Sequence, residues 1–511
     1  VIGWFFNIRF DVDAIFKPVV DKLNLVEGGW ELEYMNYKIR YYDGKFLRLA
    51  KGHKTIYYFD VSNFLDGSLE TLAQKYLHTS KKDDKIEDKS HMEIYYDSDP
   101  EMVEEYCRYD AYITQQLALW LYDSVESMSQ RVLGFRASPA KWYSKASIAE
   151  FIIKHAIDHK YLKPDVPLKA IEYAYRSYKG GMFELYVKGK VEDATTIDIN
   201  SAYPTQIREL IDVNNGEWRH VDYFDPRAYY GFYRTRANYN GFMPARASDG
   251  RIYYPHTYDR YEYYATQQEI EKFGIDNFEV LDGWVYYPDE QVKPFKNLID
   301  KLYQIKKESK GKDPTMYWLV KVIINSIYGK FVQTRGGKVG DLFNPVWGSV
   351  ITTNTRLQIY DLAQKFDEVY SIDTDSITGR ISDERLAEIP LDDELGHYSV
   401  KERNVSKILV MNGISMVKEN DEFKILNSRG FSRGQITEFK IVDNKIIVNV
   451  RRPVHLREAL RQGIIDKINQ FNIMEKSINL DEAKRIFTES FSFDRKIESF
   501  PYNDELFGDW I

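Results

Sequence analysis

The stretch that most constrains this chain is Val369-Tyr370-Ser371-Ile372-Asp373-Thr374-Asp375-Ser376-Ile377. β-Branched and aromatic residues on both sides of an Asp-x-Asp predict two strands joined by a tight turn, with Asp373 and Asp375 at its tip. Hard cations such as Mg²⁺ take carboxylate oxygen and keep room for substrate phosphates, so a two-aspartate tip suits phosphoryl transfer. Taken alone, the pattern is more often a solvated turn held by Asx hydrogen bonds. The functional reading therefore depends on what else the chain contains.

Upstream lies Asp198-Ile199-Asn200-Ser201-Ala202-Tyr203-Pro204. An Asp at a strand end, followed by a turn into a helix with Pro near its start, sets a carboxylate beside exposed backbone amides, a good place for a triphosphate. With the hairpin acids, Asp198 completes the set needed for two metal ions ~3.5–4 Å apart, which would activate a 3′ oxygen and neutralise a leaving pyrophosphate. Tyr203 is placed to lie beneath a sugar and leave no space for a 2′-OH; the plain alternative is a core tyrosine. Between these stretches, Lys321, Asn325 and Tyr328 recur at i, i+4 and i+7 of a predicted helix, presenting a cation, an amide and a ring on one face. Lys321 would meet phosphate as a point charge, and Tyr328 with Gly329 would accommodate base and sugar. A plain amphipathic helix is the rival, but Asn and Gly inside it cost stability without visible structural return.

The three stretches resemble, in order, motifs A, B and C of family B DNA polymerases: Asp-x-x-Ser-Leu-Tyr-Pro, Lys-x-x-x-Asn-Ser-x-Tyr-Gly and Tyr-x-Asp-Thr-Asp-Ser. Tyr178-Lys179-Gly180-Gly181 resembles the Tyr-x-Gly-Gly element that links exonuclease and polymerase domains and contacts template in that family. Thr352-Thr353-Asn354-Thr355-Arg356 is similar to a Thr-x-x-Gly/Ala-Arg element for primer-template contact, with Thr355 as a departure. The compact length points to the protein-primed phage branch, which implies a terminal protein among the partners. The resemblance implies Asp198, Asp373 and Asp375 as catalytic residues, with Asp198, the Ile199 carbonyl and Asp375 holding two Mg²⁺ ions that Mn²⁺ can replace. It implies a nucleotide pocket of Ser201, Ala202, Tyr203, Lys321, Asn325 and Tyr328. DNA contacts are expected from Tyr178, Gly180, Gly181, Thr352, Arg356 and Arg429. The implied substrates are primer-template DNA and deoxynucleoside triphosphates, and the implied state is a monomer.

Near the start, Asn7-Ile8-Arg9-Phe10-Asp11 is similar to the second exonuclease motif of the family, and Tyr106-Cys107-Arg108-Tyr109-Asp110 to the third. The first, Asp-x-Glu, would precede residue 1. The chain opens Val1-Ile2-Gly3-Trp4-Phe5-Phe6 without Met, in what reads as the middle of a buried strand, so we expect a truncated chain that lacks 3′–5′ proofreading. Three departures bear on the polymerase itself. Ala202 stands where the family has Leu. No Lys-x-Tyr follows Asp375, the matching stretch being Asn412-Gly413-Ile414, with Lys407, Arg429 or Arg433 as substitutes for primer grip. The link between the second and third motifs is a modest turn at 335–340, where the protein-primed branch has a second insertion that supports strand displacement.

The implied fold class is α/β and α+β multidomain: a partial ribonuclease-H-like exonuclease domain followed by a right-hand polymerase. We expect an exonuclease-like domain over 1–125, linker helices and the first palm part over 126–207, and an insertion resembling the terminal-protein region over 208–295. Fingers follow over 296–332, the second palm part over 333–433, and a thumb over 434–511. The tyrosine-dense run 253–264 reads as sheet packing, residues 81–85 as a charged loop, and residues 456–471 and 480–488 as C-terminal helices. The balance of 70 basic against 78 acidic residues gives −8, which averages acidic metal sites with basic grooves. The lone Cys107 excludes an internal disulfide framework and fits a reducing compartment. No run reaches the apolar length of a membrane span and no signal peptide is visible, so the expected location is a host cytoplasm, in viral or plasmid replication. The rivals are a non-catalytic polymerase-like remnant that binds DNA or a partner protein, and a stand-alone nuclease. Three mutually repelling carboxylates have no structural use, which disfavours the remnant; the missing Asp-x-Glu disfavours the nuclease.

Overall fold

The opening residues Ile2–Phe5 form a strand, but it is an edge strand with no fully buried residue, where a buried one was expected; it runs parallel to Lys54–Asp60 with Phe5 opposite Asp60. The remaining strands of this six-stranded sheet, from Asn24 to Asp60, form an antiparallel meander. The computed structural model describes all residues except 81–91, 247–251, 336, 420–421, 429–435, 443, 481–483 and 502–511. The charged loop 81–85, Arg429 and Arg433 therefore lie outside the described residues. The chain divides into two bodies, each assembled from separated segments: Val1–Ala156, Gln304–Ile327 and Val450–Met474 in one, Ile157–Tyr303, Tyr328–Asn449 and Glu475–Ile511 in the other.

In the first body the helix Ile8–Phe16 buries Ile8, Val12 and Phe16. These join Trp30, Leu32 and Leu47 of the sheet and Leu456 and Ala459 of the later segment in one core. The helix Pro100–Leu133 is a single run of 34 residues. Its start is set by Asp99, whose side chain accepts from the Met102 amide at 3.0 Å, with Pro100 at the first helical position. Its end is set by Gly134 at φ 88°, a conformation open to glycine. The helix runs through residue 125, the end of the expected exonuclease-like domain, without a break.

The second body is organised on a nine-stranded sheet. Its central strand Val187–Ile199 pairs on one side with Tyr398–Met411 and on the other with Ser376–Arg380 of the predicted hairpin. That hairpin continues through Glu368–Asp373 to the short strand Phe183–Leu185. Ile372, Ile377 and Ile197 face each other across three strands and pack against Ile359, Leu362 and Ala363 of the helix Pro345–Ala363, a helix the sequence reading missed. It starts at Asn344, whose side chain accepts from the Trp347 amide, followed by Pro345, the arrangement favoured at helix N-termini.

Residues Gly216–Pro288 contribute a separate four-stranded antiparallel sheet with the helix Gln267–Phe273. The tyrosine-dense run does serve packing: Tyr253, Tyr254 and Tyr263 are buried, while Tyr258 is exposed. At 335–340 the short connection is a two-stranded hairpin in which Thr334 pairs Val339. The C-terminal expectation fails. A helix spans only Leu456–Gln462, stopped by Gly463 at φ 70°. Phe471–Asn479 is a strand, and Arg485–Phe487 pairs with Lys496–Pro501. Helical spacing of apolar residues there was a local signal that long-range strand pairing overrode.

One buried acid in the second body gives a pH test. Glu184 is wholly buried and both carboxylate oxygens lack a hydrogen-bond partner among the described residues. Burial pushes it up to about 7 from an ordinary 4.5, against the pull of Lys484 and Arg485. Folding thus favours its neutral form. Its contribution is fully present below pH 4.5 and is lost as pH rises through about 7, at a cost of about 3 kcal/mol above that. Glu184→Gln is expected to resist urea better than the parent at pH 8 but not at pH 4.5; equal differences at both would refute the assignment.

Candidate active site

Residues directly opposite one another in a sheet share a face, and this places the acids. Asp373 is opposite Ser376, Ser376 is opposite Asp198, and Asp198 is opposite Ser399. These residues form one line across four strands, on the face opposite the isoleucines one position along. Asp373 and Asp198 flank Ser376 two strand spacings apart, roughly 10 Å between Cα atoms. Asp375 sits in the turn between them. Thr374 takes φ 59°, and its amide donates to the Met182 carbonyl at 2.7 Å, while the Asp375 amide donates to the Asp373 carbonyl at 2.7 Å. From the central strand, the Ile199 amide donates to the Asp375 carbonyl at 2.8 Å. The tip is therefore held from both sides.

Crowding shows in the charges. Burial first, then the Asp198 charge, with a smaller addition from Asp373, push Asp375 up to about 6. Lys401 opposes the shift, and its Nζ lies 3.3 Å from Asp198 Oδ1. The sequence reading missed Lys401, because only the pairing of its strand with the central strand brings it to the acids. Among the described residues no group of three or more His, Cys, Asp or Glu is gathered as a ready ligand set. Mg²⁺ sites in general use one or two carboxylates and complete their coordination with water and substrate phosphates. Asp198 and Asp375, the two most strongly coupled acids, are the donors that fit, and a cation there would relieve their repulsion.

Beside the tip lies a tyrosine cluster. Tyr203 stacks at 4.4 Å between ring centroids on Tyr328, whose hydroxyl is 2.5 Å from that of Tyr178. Burial, with Tyr178 and Asp375 nearby, holds Tyr203 well above the usual tyrosine range. Ser201 takes φ 56° and leads into the helix Ala202–Glu209, and Ala202 is buried in the sheet core. Gly181 is required here: a Cβ would sit 2.7 Å from Thr374 Cγ2 and 2.9 Å from the Tyr203 hydroxyl. Gly180 takes φ 75°, which glycine adopts without strain. Lys321, Asn325 and Tyr328 share one helix, Pro314–Phe331; Lys321 and Asn325 are exposed, and Ile323, Ile324 and Ile327 are buried.

Several residues expected to meet DNA are enclosed in the fold. Arg356 is only 2 % exposed and pairs with equally buried Glu269 at 3.1 Å, while also donating to the Gly180 carbonyl at 2.7 Å. Its guanidinium holds the Gly180 carbonyl and the Glu269 carboxylate. Thr352 is fully buried, with its hydroxyl turned back to the Gly348 and Ser349 carbonyls at 3.1 Å. Lys407 is enclosed between Glu402 and Thr196, which removes it as a substitute grip. Asn412-Gly413 is a two-residue hairpin turn, Met411 pairing Ile414 with Gly413 at φ 73°. Arg429 lies outside the described residues.

In the other body, Asn7 precedes the helix Ile8–Phe16 at φ 62°, and Asp11 lies in its first turn. Burial first, then the nearby Asp60 charge, push Asp11 up to about 6. Asp60, also missed from sequence, accepts from the Asn7 and Ile8 amides at 2.9 Å and serves as the cap of this helix start. Tyr106 and Asp110 lie one turn apart on Pro100–Leu133.

The Arg356–Glu269 pair carries a stability prediction. Removing one partner leaves an uncompensated buried charge, so Arg356→Met is expected to cost about 3–5 kcal/mol in chemical unfolding, with the double variant Arg356→Met/Glu269→Met recovering part of it.

Comparison with known proteins bears on the family and the fold. The chain is 24 % identical over 436 residues to the DNA polymerase of Acidianus bottle-shaped virus (isolate Italy/Pozzuoli), covering 80 % of this chain and 63 % of that protein. It is 25 % identical over 232 residues to a probable DNA polymerase of Neurospora intermedia, covering 41 % of this chain and 23 % of that protein. The chain thus spans less than two thirds of both relatives. In fold it is similar to Phi29 DNA polymerase complexed with primer-template DNA and incoming nucleotide, at a TM-score of 0.66 and 16 % identity over 94 % of this chain and 91 % of that one. The binary primer-template complex of the same polymerase gives 0.65 with the same coverage. The mixed α/β, multidomain fold expected from sequence is therefore the one found. The family DNA polymerase type B, organellar and viral, matches residues 3–339, and this chain belongs to it.

Proposed function

We propose that the protein is a DNA-directed DNA polymerase that extends a 3′ hydroxyl on a DNA template, with Asp198 and Asp375 as the principal metal ligands. The observation that carries this is the coupling of those two acids at a pinned hairpin tip, next to the Tyr203–Tyr328–Tyr178 cluster. When bound, divalent cations, Mg²⁺ or in its place Mn²⁺, activate the attacking 3′ oxygen and neutralise the leaving pyrophosphate. Asp373 and the Ile199 carbonyl complete the acidic end of the site. The pairing of the hairpin with the central strand holds the donors in place, so catalysis is positioning plus charge neutralisation, as phosphoryl transfer requires.

Tyr203 supports the sugar and excludes a 2′-OH; Ser201 and Ala202 shape the turn that carries it. Lys321 binds the incoming phosphates, and Asn325 and Tyr328 form the wall against the base pair. Tyr178, Gly180 and Gly181 guide template, with Arg356 as a positioning residue behind them. Lys401 holds Asp198 while no cation is present. The likeness to Phi29 DNA polymerase complexed with primer-template DNA and incoming nucleotides supports DNA and deoxynucleotides as substrates; a terminal protein as initiating partner rests on the motif resemblance alone.

The test is extension of a recessed 3′ end with Mg²⁺ and deoxynucleotides. Asp198→Asn and Asp375→Asn are each expected to lose extension by at least about 10³-fold while melting no lower than the parent; wild-type extension by either would refute the reading. Tyr203→Ala is expected to raise ribonucleotide incorporation with little loss of deoxynucleotide use, read as the ratio of the two kcat/KM values.

A further inference from the structure

A second charged cleft, of about 390 Å³, lies within the body that contains Val1–Ala156 and Val450–Met474, far in sequence from the polymerase motifs. Four arginines line it: Arg9, Arg452, Arg457 and Arg461. Two are neutralised locally. Arg9 pairs with Asp43 at 2.9 Å and Arg452 with Glu458 at 3.0 Å. Arg457 and Arg461 have no ion pair among the described residues, and Arg457 Nε is buried without a hydrogen-bond partner. They are spaced i, i+4 on the helix Leu456–Gln462, so two like charges share one face, an arrangement that destabilises a helix. A buried, unsatisfied guanidinium nitrogen calls for an explanation, and an anion supplies one.

The frame around them is rigid. Leu456 and Ala459 are fully buried in the core with Ile8 and Val12. His455 Nδ1 lies 2.9 Å from the carboxylate of buried Asp13, on the helix that also carries Arg9. Asp11 follows Arg9 by two residues, about 200° around that helix, so the cleft is on another side from the exonuclease-type acid. Paired guanidiniums on a fixed helix match the oxygens of a phosphate, which arginine binds through two parallel N–H donors.

We propose that this cleft is a phosphate-binding site with Arg457 and Arg461 as its ligands, taking either the backbone of a DNA strand or free inorganic phosphate. The strand version rests on the polymerase reading; the phosphate chemistry does not.

Two measurements on the full chain test it, and neither needs nucleotide incorporation, so a failed polymerase reading leaves them interpretable. In the first, melting is followed against inorganic phosphate, with chloride at matched ionic strength as the reference. The parent is expected to show a saturable rise that Arg457→Gln/Arg461→Gln loses and Arg457→Lys partly keeps. In the second, a labelled oligothymidylate is titrated at several salt concentrations. If a strand is the ligand, the slope of log affinity against log salt falls by about 1.4 in the double variant, from about 0.7 per lost phosphate contact. Arg461→Gln alone, an exposed position, gives half that change without threatening the fold. A phosphate-dependent rise with an unchanged slope assigns the site to free phosphate. No rise in the parent together with an unchanged slope overturns the proposal.

Discussion

The pairing of the Asp373–Ser376 hairpin with the central strand is the constraint on which the second body depends. Strand alternation lets one register do two things. Ile372, Ile377 and Ile197 fall on the face that packs against the helix Pro345–Ala363, and Asp373, Ser376 and Asp198 fall on the other. A slip of one residue would bury the acids and expose the isoleucines. The apolar face thus holds the register, and the register holds the acids near one another against their repulsion. Burial first, and then the charge of Asp198, raise Asp375 to about 6.

A second, buried constraint ties the tyrosine cluster to the sheet of residues 216–288. Glu269 closes a capping box with Thr266, accepts from Tyr263 at 2.8 Å and pairs with Arg356. Arg356 in turn holds the Gly180 carbonyl. The next residue, Gly181, is the one whose missing side chain lets Tyr203 and the hairpin tip approach. One charged pair therefore connects two helices and the glycine turn, and it does so out of water, where each partner depends on the other.

What could be read from the sequence was whatever local chemistry determines. The hairpin, the strand-to-helix turn at Asp198–Pro204, the helix with Lys321, Asn325 and Tyr328, and the packing role of the tyrosine run all carry short-range signals: turn residues, β-branched flanks, periodicity. Partners drawn from distant segments had no such signal. Lys401, Asp60 and Glu269 each occupy an unremarkable sequence context and matter because a strand or helix far away brings them to Asp198, to Asn7 and to Arg356. The burial of Arg356, Thr352 and Lys407 had no sequence signal for the same reason, since a cation or hydroxyl that looks available in a sequence can be enclosed in a fold. The C-terminal helices expected over 456–471 and 480–488 failed in their later parts, where Gly463 stops the first after Gln462 and Arg485–Phe487 pairs as a strand with Lys496–Pro501.

The sequence by itself determined which chemical groups this protein has and in what order: paired aspartates at a turn, a third at a strand end, tyrosines beside them, glycines where the backbone must come close. Those features are local, because turn chemistry, alternation and helical period act over a few residues. Only the tertiary structure decided which groups face one another. It coupled Asp375 to Asp198 more strongly than to Asp373, gave Lys401 to Asp198, turned Arg356 inward and left Arg457 and Arg461 together in a cleft whose two acids, Asp43 and Glu458, pair with Arg9 and Arg452. The physical reason is that Coulomb interaction and desolvation depend on separation and burial in space, and neither quantity is set by distance along the chain.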